Sequence, residues 1–185
     1  MKRIIKSPIL LLFVCFLIGT HNVQAKVIWE SGDFNSFFGA KQIPVYLDYS
    51  KAVFAGSGDM SDFMLMAERD NDWETENIKE FNSSSNEEVA VQGWGFRFVS
   101  PDKALNPTYN LTIEIQQIER NGHIHGNIYL TDAASNQPIM RFTYKSDDAD
   151  AYDDDMFKDQ LESIGESFGK LLKKQMKKAL KNNHN

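Results

Sequence analysis

This 185-residue chain has almost no cysteine: Cys15 is the only one, so no intramolecular disulfide can form. It has no excess of positive charge, with 20 Lys and Arg against 26 Asp and Glu for a net of −6, which excludes a generally basic nucleic-acid binder. It also lacks a hydrophobic run long enough to span a bilayer. The run Ile9 to Ile18 covers roughly ten residues, where a spanning helix needs about 20. No Walker loop and no His-Glu-x-x-His motif occurs, and no Gly-x-Ser-x-Gly elbow is read. Composition is otherwise that of an ordinary globular protein, 42% hydrophobic and 25% charged, which excludes wholesale disorder.

What is present begins with a leader. Lys2, Arg3 and Lys6 precede the apolar run, and Val23-Gln24-Ala25 places small side chains where a signal peptidase reads them. Cleavage is expected after Ala25, which makes the protein exported, periplasmic or extracellular, with residues 26–185 as a single domain. Bulky Val14 precedes Cys15, so Leu12-Phe13-Val14-Cys15 is no lipobox and Cys15 leaves with the leader. Removing the leader's three basic residues from 20 leaves 17 against 26 acids, or −9. Six of those 17 are Lys170, Lys173, Lys174, Lys177, Lys178 and Lys181, so the body before them stands at 11 against 26, or −15.

Periodicity outlines the elements. Lys26 to Lys41 reads as a short lead-in, and Ile43 to Tyr49 as a strand with Val45, Leu47 and Tyr49 on one face. Phe63, Met66, Trp73, Ile78 and Phe81 give an approximate helical stripe over Ser61 to Phe81, interrupted at Arg69 to Asp72. Asn82-Ser83-Ser84-Ser85-Asn86 reads as a polar break, and Glu87 to Val99 is ambiguous: Val89-Ala90-Val91 and Phe96-Arg97-Phe98 look strand-like, while Gly93 and Gly95 bracket Trp94. Tyr109 to Ile115, His123 to Thr131 and Ile139 to Tyr144 alternate as three strands. Asn121-Gly122 suits the first of the turns that join them into an antiparallel meander. From about Asp155 to Lys181, Phe157, Leu161, Ile164, Phe168, Leu172 and Met176 recur at helical spacing, with acids at one end and lysines at the other. The expected fold is α+β in two layers. An antiparallel sheet, formed by the first strand and the meander, is covered by helices including the long C-terminal one.

The pattern carried by Val45-Tyr46-Leu47-Asp48-Tyr49-Ser50-Lys51-Ala52, Asp62-Phe63, Tyr109 to Ile118 and Gly165 to Lys174 resembles small secreted or envelope proteins of Bacteroidetes-type bacteria. More loosely it is similar to envelope lipoproteins of the lipopolysaccharide-assembly kind, which share a sheet covered by helices. That similarity implies an accessory or binding role with no catalytic residues. The missing lipobox departs from those lipoproteins.

Candidate chemistry is sparse. His123 and His125, two apart in a strand, could present both imidazoles to a divalent metal, although no third ligand is near in sequence. Asp147, Asp148 and Asp150, followed by Asp153, Asp154 and Asp155, offer oxygens for calcium without EF-hand spacing, and Asp70, Asp72, Glu74 and Glu76 pose a weaker version of the same question. A solvated linker and a charged helix start explain these acids as well. The six C-terminal lysines could meet anionic lipid or lipopolysaccharide phosphates, or could be the solvated face of a core helix. Trp29, Trp73 and Trp94 could line a sugar site or belong to the core. The expectation is an exported, non-enzymatic envelope protein without a cofactor, binding a protein partner or an amphipathic ligand and not nucleic acid. The alternatives are a hydrolase of envelope glycans and a divalent-metal-dependent binding module.

Overall fold

The computed structural model describes residues 24–55, 72–119, 122–146 and 156–183. Seven strands are present among them: β1 (Lys26–Ser31), β2 (Gln42–Asp48), β3 (Val53–Ala55), β4 (Arg97–Val99), β5 (Tyr109–Glu119), β6 (Ile124–Asp132) and β7 (Pro138–Lys145). They form one sheet in the order β1-β7-β6-β5-β2-β4, with β3 also paired to β5. Two helices, α1 (Trp73–Ala90) and α2 (Met156–Asn183), lie against this sheet. The α+β class, the meander and the long C-terminal helix are as the sequence predicts.

The sheet, however, is mixed. β5, β6 and β7 are antiparallel neighbours, but β2 runs parallel to both β5 and β4, and β3 is parallel to β5. The physical reason is the long connection holding α1: a crossover of a dozen residues or more lets two strands align in the same direction, which a tight turn cannot do. The supposed lead-in before the first strand is itself structured. Lys26–Ser31 becomes the edge strand β1, paired antiparallel to β7, and Phe34–Phe37 is a 3-10 turn capped by the Asp33 side chain. The folded unit reaches back to Ala25. This residue is buried, its N–H donates to Ser163 Oγ at 3.0 Å, and its carbonyl accepts from Ser167 Oγ.

Along β5 the apolar phase runs Leu111, Ile113, Ile115 and then skips to Ile118, all fully buried. A bulge between Ile115 and Gln117 absorbs the extra residue and returns Ile118 to the core. Gly122 adopts φ of 82° in the turn that follows, as the hairpin reading requires, while Asn121 lies outside the described residues. The core sits between sheet and helices and centres on Phe168 of α2. Its ring meets Phe81 of α1 at 5.8 Å, Phe98 of β4 at 5.7 Å and Phe142 of β7 at 5.1 Å.

The segment read as a polar break is instead the middle of α1. Its small residues are needed where the two helices cross closely: a Cβ at Gly165 would lie 2.6 Å from the Phe81 carbonyl oxygen, and one at Gly169 would lie 2.8 Å from that of Ser85. Ser85 Oγ donates to the Gly165 carbonyl at 3.0 Å across this contact. The pairs Glu76–Lys158 and Glu88–Lys173 flank it, so α1 and α2 run parallel. α1 thus has three working faces: Ile78, Phe81 and Val89 enter the core, Ser84 and Ser85 meet α2, and a polar row faces outward. A helix with only one apolar third gives a faint amphipathic signal.

Candidate anion-binding cleft

That polar row is Lys79, Asn82, Ser83 and Asn86, spaced at three and four residues so that one side of α1 presents all of them. Opposite stand Arg97, Phe98 and Val99 of β4, then Ser100 and Lys103 of the 3-10 turn Pro101–Lys103. Together they enclose an open cleft of about 320 Å³. Asn86 fixes the width. Its Nδ2 donates to the Phe98 carbonyl at 2.9 Å and its Oδ1 accepts from the Phe98 N–H at 2.8 Å, so the amide acts as a further strand partner for β4. Helix and sheet edge are thereby tied at the base of the cleft.

The electrostatics of the cleft run against those of the chain. Lys79, Arg97 and Lys103 are exposed and line it, and none of the three forms a salt bridge among the described residues. Elsewhere Lys51, Lys145, Lys158, Lys170 and Lys173 each have a carboxylate partner. Asn82, only 7% exposed, carries a buried Oδ1 without a hydrogen-bond partner among the described residues. Buried polar atoms are rarely left unpaired, because the lost hydration costs about 1–3 kcal/mol. A ligand with an anionic group for the three cations matches this set.

The sequence-derived candidates fare differently. His123 is buried, with Nδ1 3.1 Å from the Ser146 carbonyl oxygen, and His125 Nε2 is bonded to Glu119 Oε1. Each imidazole is therefore engaged by its own protein partner. Burial acts to raise the Glu119 pKa, but the His125 hydrogen bond and the charges of His125, Lys145 and His123 outweigh it and hold the carboxyl below its ordinary value. Among the described residues no group of three or more His, Cys, Asp or Glu is placed to hold a metal ion. Asp70, Asp147, Asp148, Asp150, Asp153, Asp154 and Asp155 lie outside the described residues. Glu74 and Glu76 stand in the first turn of α1 just after Asp72, where the helix dipole favours negative charge, and Glu76 pairs with Lys158 at 2.8 Å.

Of the six lysines, Lys170 pairs with Glu166 and Lys173 with Glu88, while Lys174, Lys177, Lys178 and Lys181 remain on the exposed side of α2. The tryptophans do not converge. Trp29 packs on Phe34, Trp73 on Tyr49 and Phe157, and Trp94 on Phe38 and Phe96. One string corrects the motif reading: Gly165-Glu166-Ser167-Phe168-Gly169 does have Gly-x-Ser-x-Gly spacing. It lies inside α2 rather than on a strand-to-helix turn, and the Ser167 hydroxyl is spent on the Ala25 carbonyl. Its glycines serve the helix crossing.

The cleft escaped sequence reading because its cations come from three separate segments. A faint signal existed in the spacing of Lys79, Asn82, Ser83 and Asn86. No helix among the described residues is long and apolar enough to cross a membrane. No protein-family profile matches the chain, and no curated protein matches it. Two solved structures of a PelC dodecamer from Paraburkholderia phytofirmans are similar to it in outline. One has 12% identity over 80% of this chain and 98% of that one, with a TM-score of 0.44. The other has 10% identity over 78% and 96%, with a TM-score of 0.45.

Proposed function

We propose that this is an exported, non-enzymatic binding protein of the cell envelope, and that it holds an anionic ligand, a phosphate or carboxylate group, in the cleft between α1 and β4. The observation that carries the reading is that Lys79, Arg97 and Lys103, none ion-paired among the described residues, line one cleft together with Asn82 and Asn86. In a chain of net −6, unopposed cations on three different elements stand out from the background charge. Arg97 supplies a planar fork suited to two oxygens, and the lysines act as point charges.

Isothermal titration with glycerol phosphate, glucuronate and neutral glucose tests this. One of the two anions binds at a single site and glucose does not. Arg97→Ala and Lys103→Ala each weaken binding about tenfold or more, the effect of losing one charge-assisted hydrogen bond. Lys174→Ala, on the far end of α2, leaves affinity unchanged. Equal binding of wild type and Arg97→Ala would refute the assignment. Sequencing the amino terminus of protein recovered outside the cytoplasm tests export.

A further inference from the structure

The edge strand β1 ends the sheet, and among the described residues no strand pairs with its outer side. Exposed edges are normally blunted, because a row of free N–H and C=O groups templates further strand pairing. Here the middle of the edge carries Ile28 and Trp29, each 43% exposed. β1 is regular from Lys26 through Trp29, and the register shift comes only between Trp29 and Ser31. Val27 packs on the core and Trp29 on Phe34, so Lys26 and Ile28 share the opposite, open face of the sheet. Glu30, the residue at the register shift, is held on this same face by accepting from Oγ1 of Thr143, the register partner of Ile28, at 3.1 Å, and Lys26 forms no salt bridge among the described residues.

This order is self-complementary. If a second copy adds its β1 antiparallel about a two-fold axis at Ile28, Ile28 meets Ile28 and Val27 meets Trp29. Lys26 then faces Glu30 of the other copy, and the reverse pair forms by symmetry. Any shift by two residues would replace at least one of these pairs with a mismatched one. We propose that β1 is a homodimer interface in which two copies join their sheets edge to edge, with register set by the two Lys26–Glu30 pairs. This surface is separate from the cleft, which lies at the β4 end of the sheet.

A charge-swap experiment decides it. Sedimentation equilibrium on wild type, Lys26→Glu and Glu30→Lys shows a dimer for the wild type. Each variant alone associates at least about tenfold more weakly, because like charges then face each other at both positions. Mixing the two variants in equal amounts restores dimerisation, and native mass spectrometry finds one chain of each kind in the dimer. Circular dichroism matching wild type shows that both variants fold, as expected for exposed positions. The proposal is overturned by a wild type that stays monomeric at its highest soluble concentration, by single variants that dimerise like wild type, or by a mixture that remains monomeric. Phosphate-ligand binding by the monomeric variants separates failure here from failure of the cleft assignment.

Discussion

Gly126→Ala should be among the most damaging single-methyl changes available in this protein. Gly126 lies in the interior of β6, where glycine ordinarily weakens a strand. Its register partner is Ile115, at the bulge of β5. A Cβ at this position would sit 1.8 Å from the Glu114 carbonyl oxygen and 2.8 Å from the Tyr144 hydroxyl. Ordinary contact begins at 3.4 Å, so the β5 backbone must retreat by roughly 1.6 Å. That retreat also strains the bond that the buried Tyr144 hydroxyl donates to the same carbonyl at 3.2 Å. Overpacking costs about 1–3 kcal/mol, and a disrupted buried hydrogen bond adds about 1–3 kcal/mol. The expected loss of about 2–6 kcal/mol is a large share of the roughly 5–15 kcal/mol that holds a domain folded. Urea denaturation followed by tryptophan fluorescence measures it, with Tyr144→Phe as the reference that loses the hydroxyl without adding a methyl. Tyr144→Phe alone should cost about 1–2 kcal/mol. The double variant should lose less than the sum of the singles, because both act on the Glu114 carbonyl. A Gly126→Ala protein within about 0.5 kcal/mol of wild type, the scatter of neutral surface changes, would refute the close approach.

Two other contacts carry their own expected outcomes. Glu119 has a lowered pKa in the fold, so its contribution to stability is present above its unfolded value, near the ordinary 4.5, and is lost as pH falls through the lower folded value. Thermal midpoints measured from pH 7 to pH 3 should therefore fall less steeply over the acid limb for Glu119→Gln than for wild type, and parallel curves would dismiss the Glu119–His125–Lys145 cluster as a source of stability. A protein beginning at Lys26 loses the Ala25 bonds to Ser163 and Ser167, so it should be less stable than one beginning at Gln24 by about 1–3 kcal/mol, two hydrogen bonds' worth. Denaturation midpoints of the two purified forms give the answer, and identical midpoints would mean that the Ala25 contacts contribute nothing.

Strands and helices were legible where one face alone is buried. The alternation of Leu111, Ile113 and Ile115 and the spacing of Phe157, Leu161, Ile164 and Phe168 each report a single core-facing side, so the meander and α2 stand out. α1 was legible only from Trp73 to Phe81, where Trp73, Ile78 and Phe81 carry the helical stripe; its continuation was not, because Ser84 and Ser85 are selected by the approach of Gly165 and Gly169 from another part of the chain. β1 was missed because only Val27 and Trp29 turn inward, and neither is fully buried. Of the candidate sites, His125 lies in β6 as the alternation suggests, whereas His123 precedes the strand and is buried, and their partners Ser146 and Glu119 could not be read from spacing.

The sequence by itself determined the composition class, the antiparallel meander, the amphipathic C-terminal helix and the separation of an acidic body from a lysine-rich end. Those properties depend on local period and on charge counted along the chain. Only the tertiary structure decided that β2 runs parallel to β5, that the serine-rich segment is a helix crossing, and that Lys79, Arg97 and Lys103 line one cleft with Asn82. Strand direction depends on the path of a long crossover. A cleft depends on which distant residues that path brings within a few ångströms of one another, and neither quantity has a local signature.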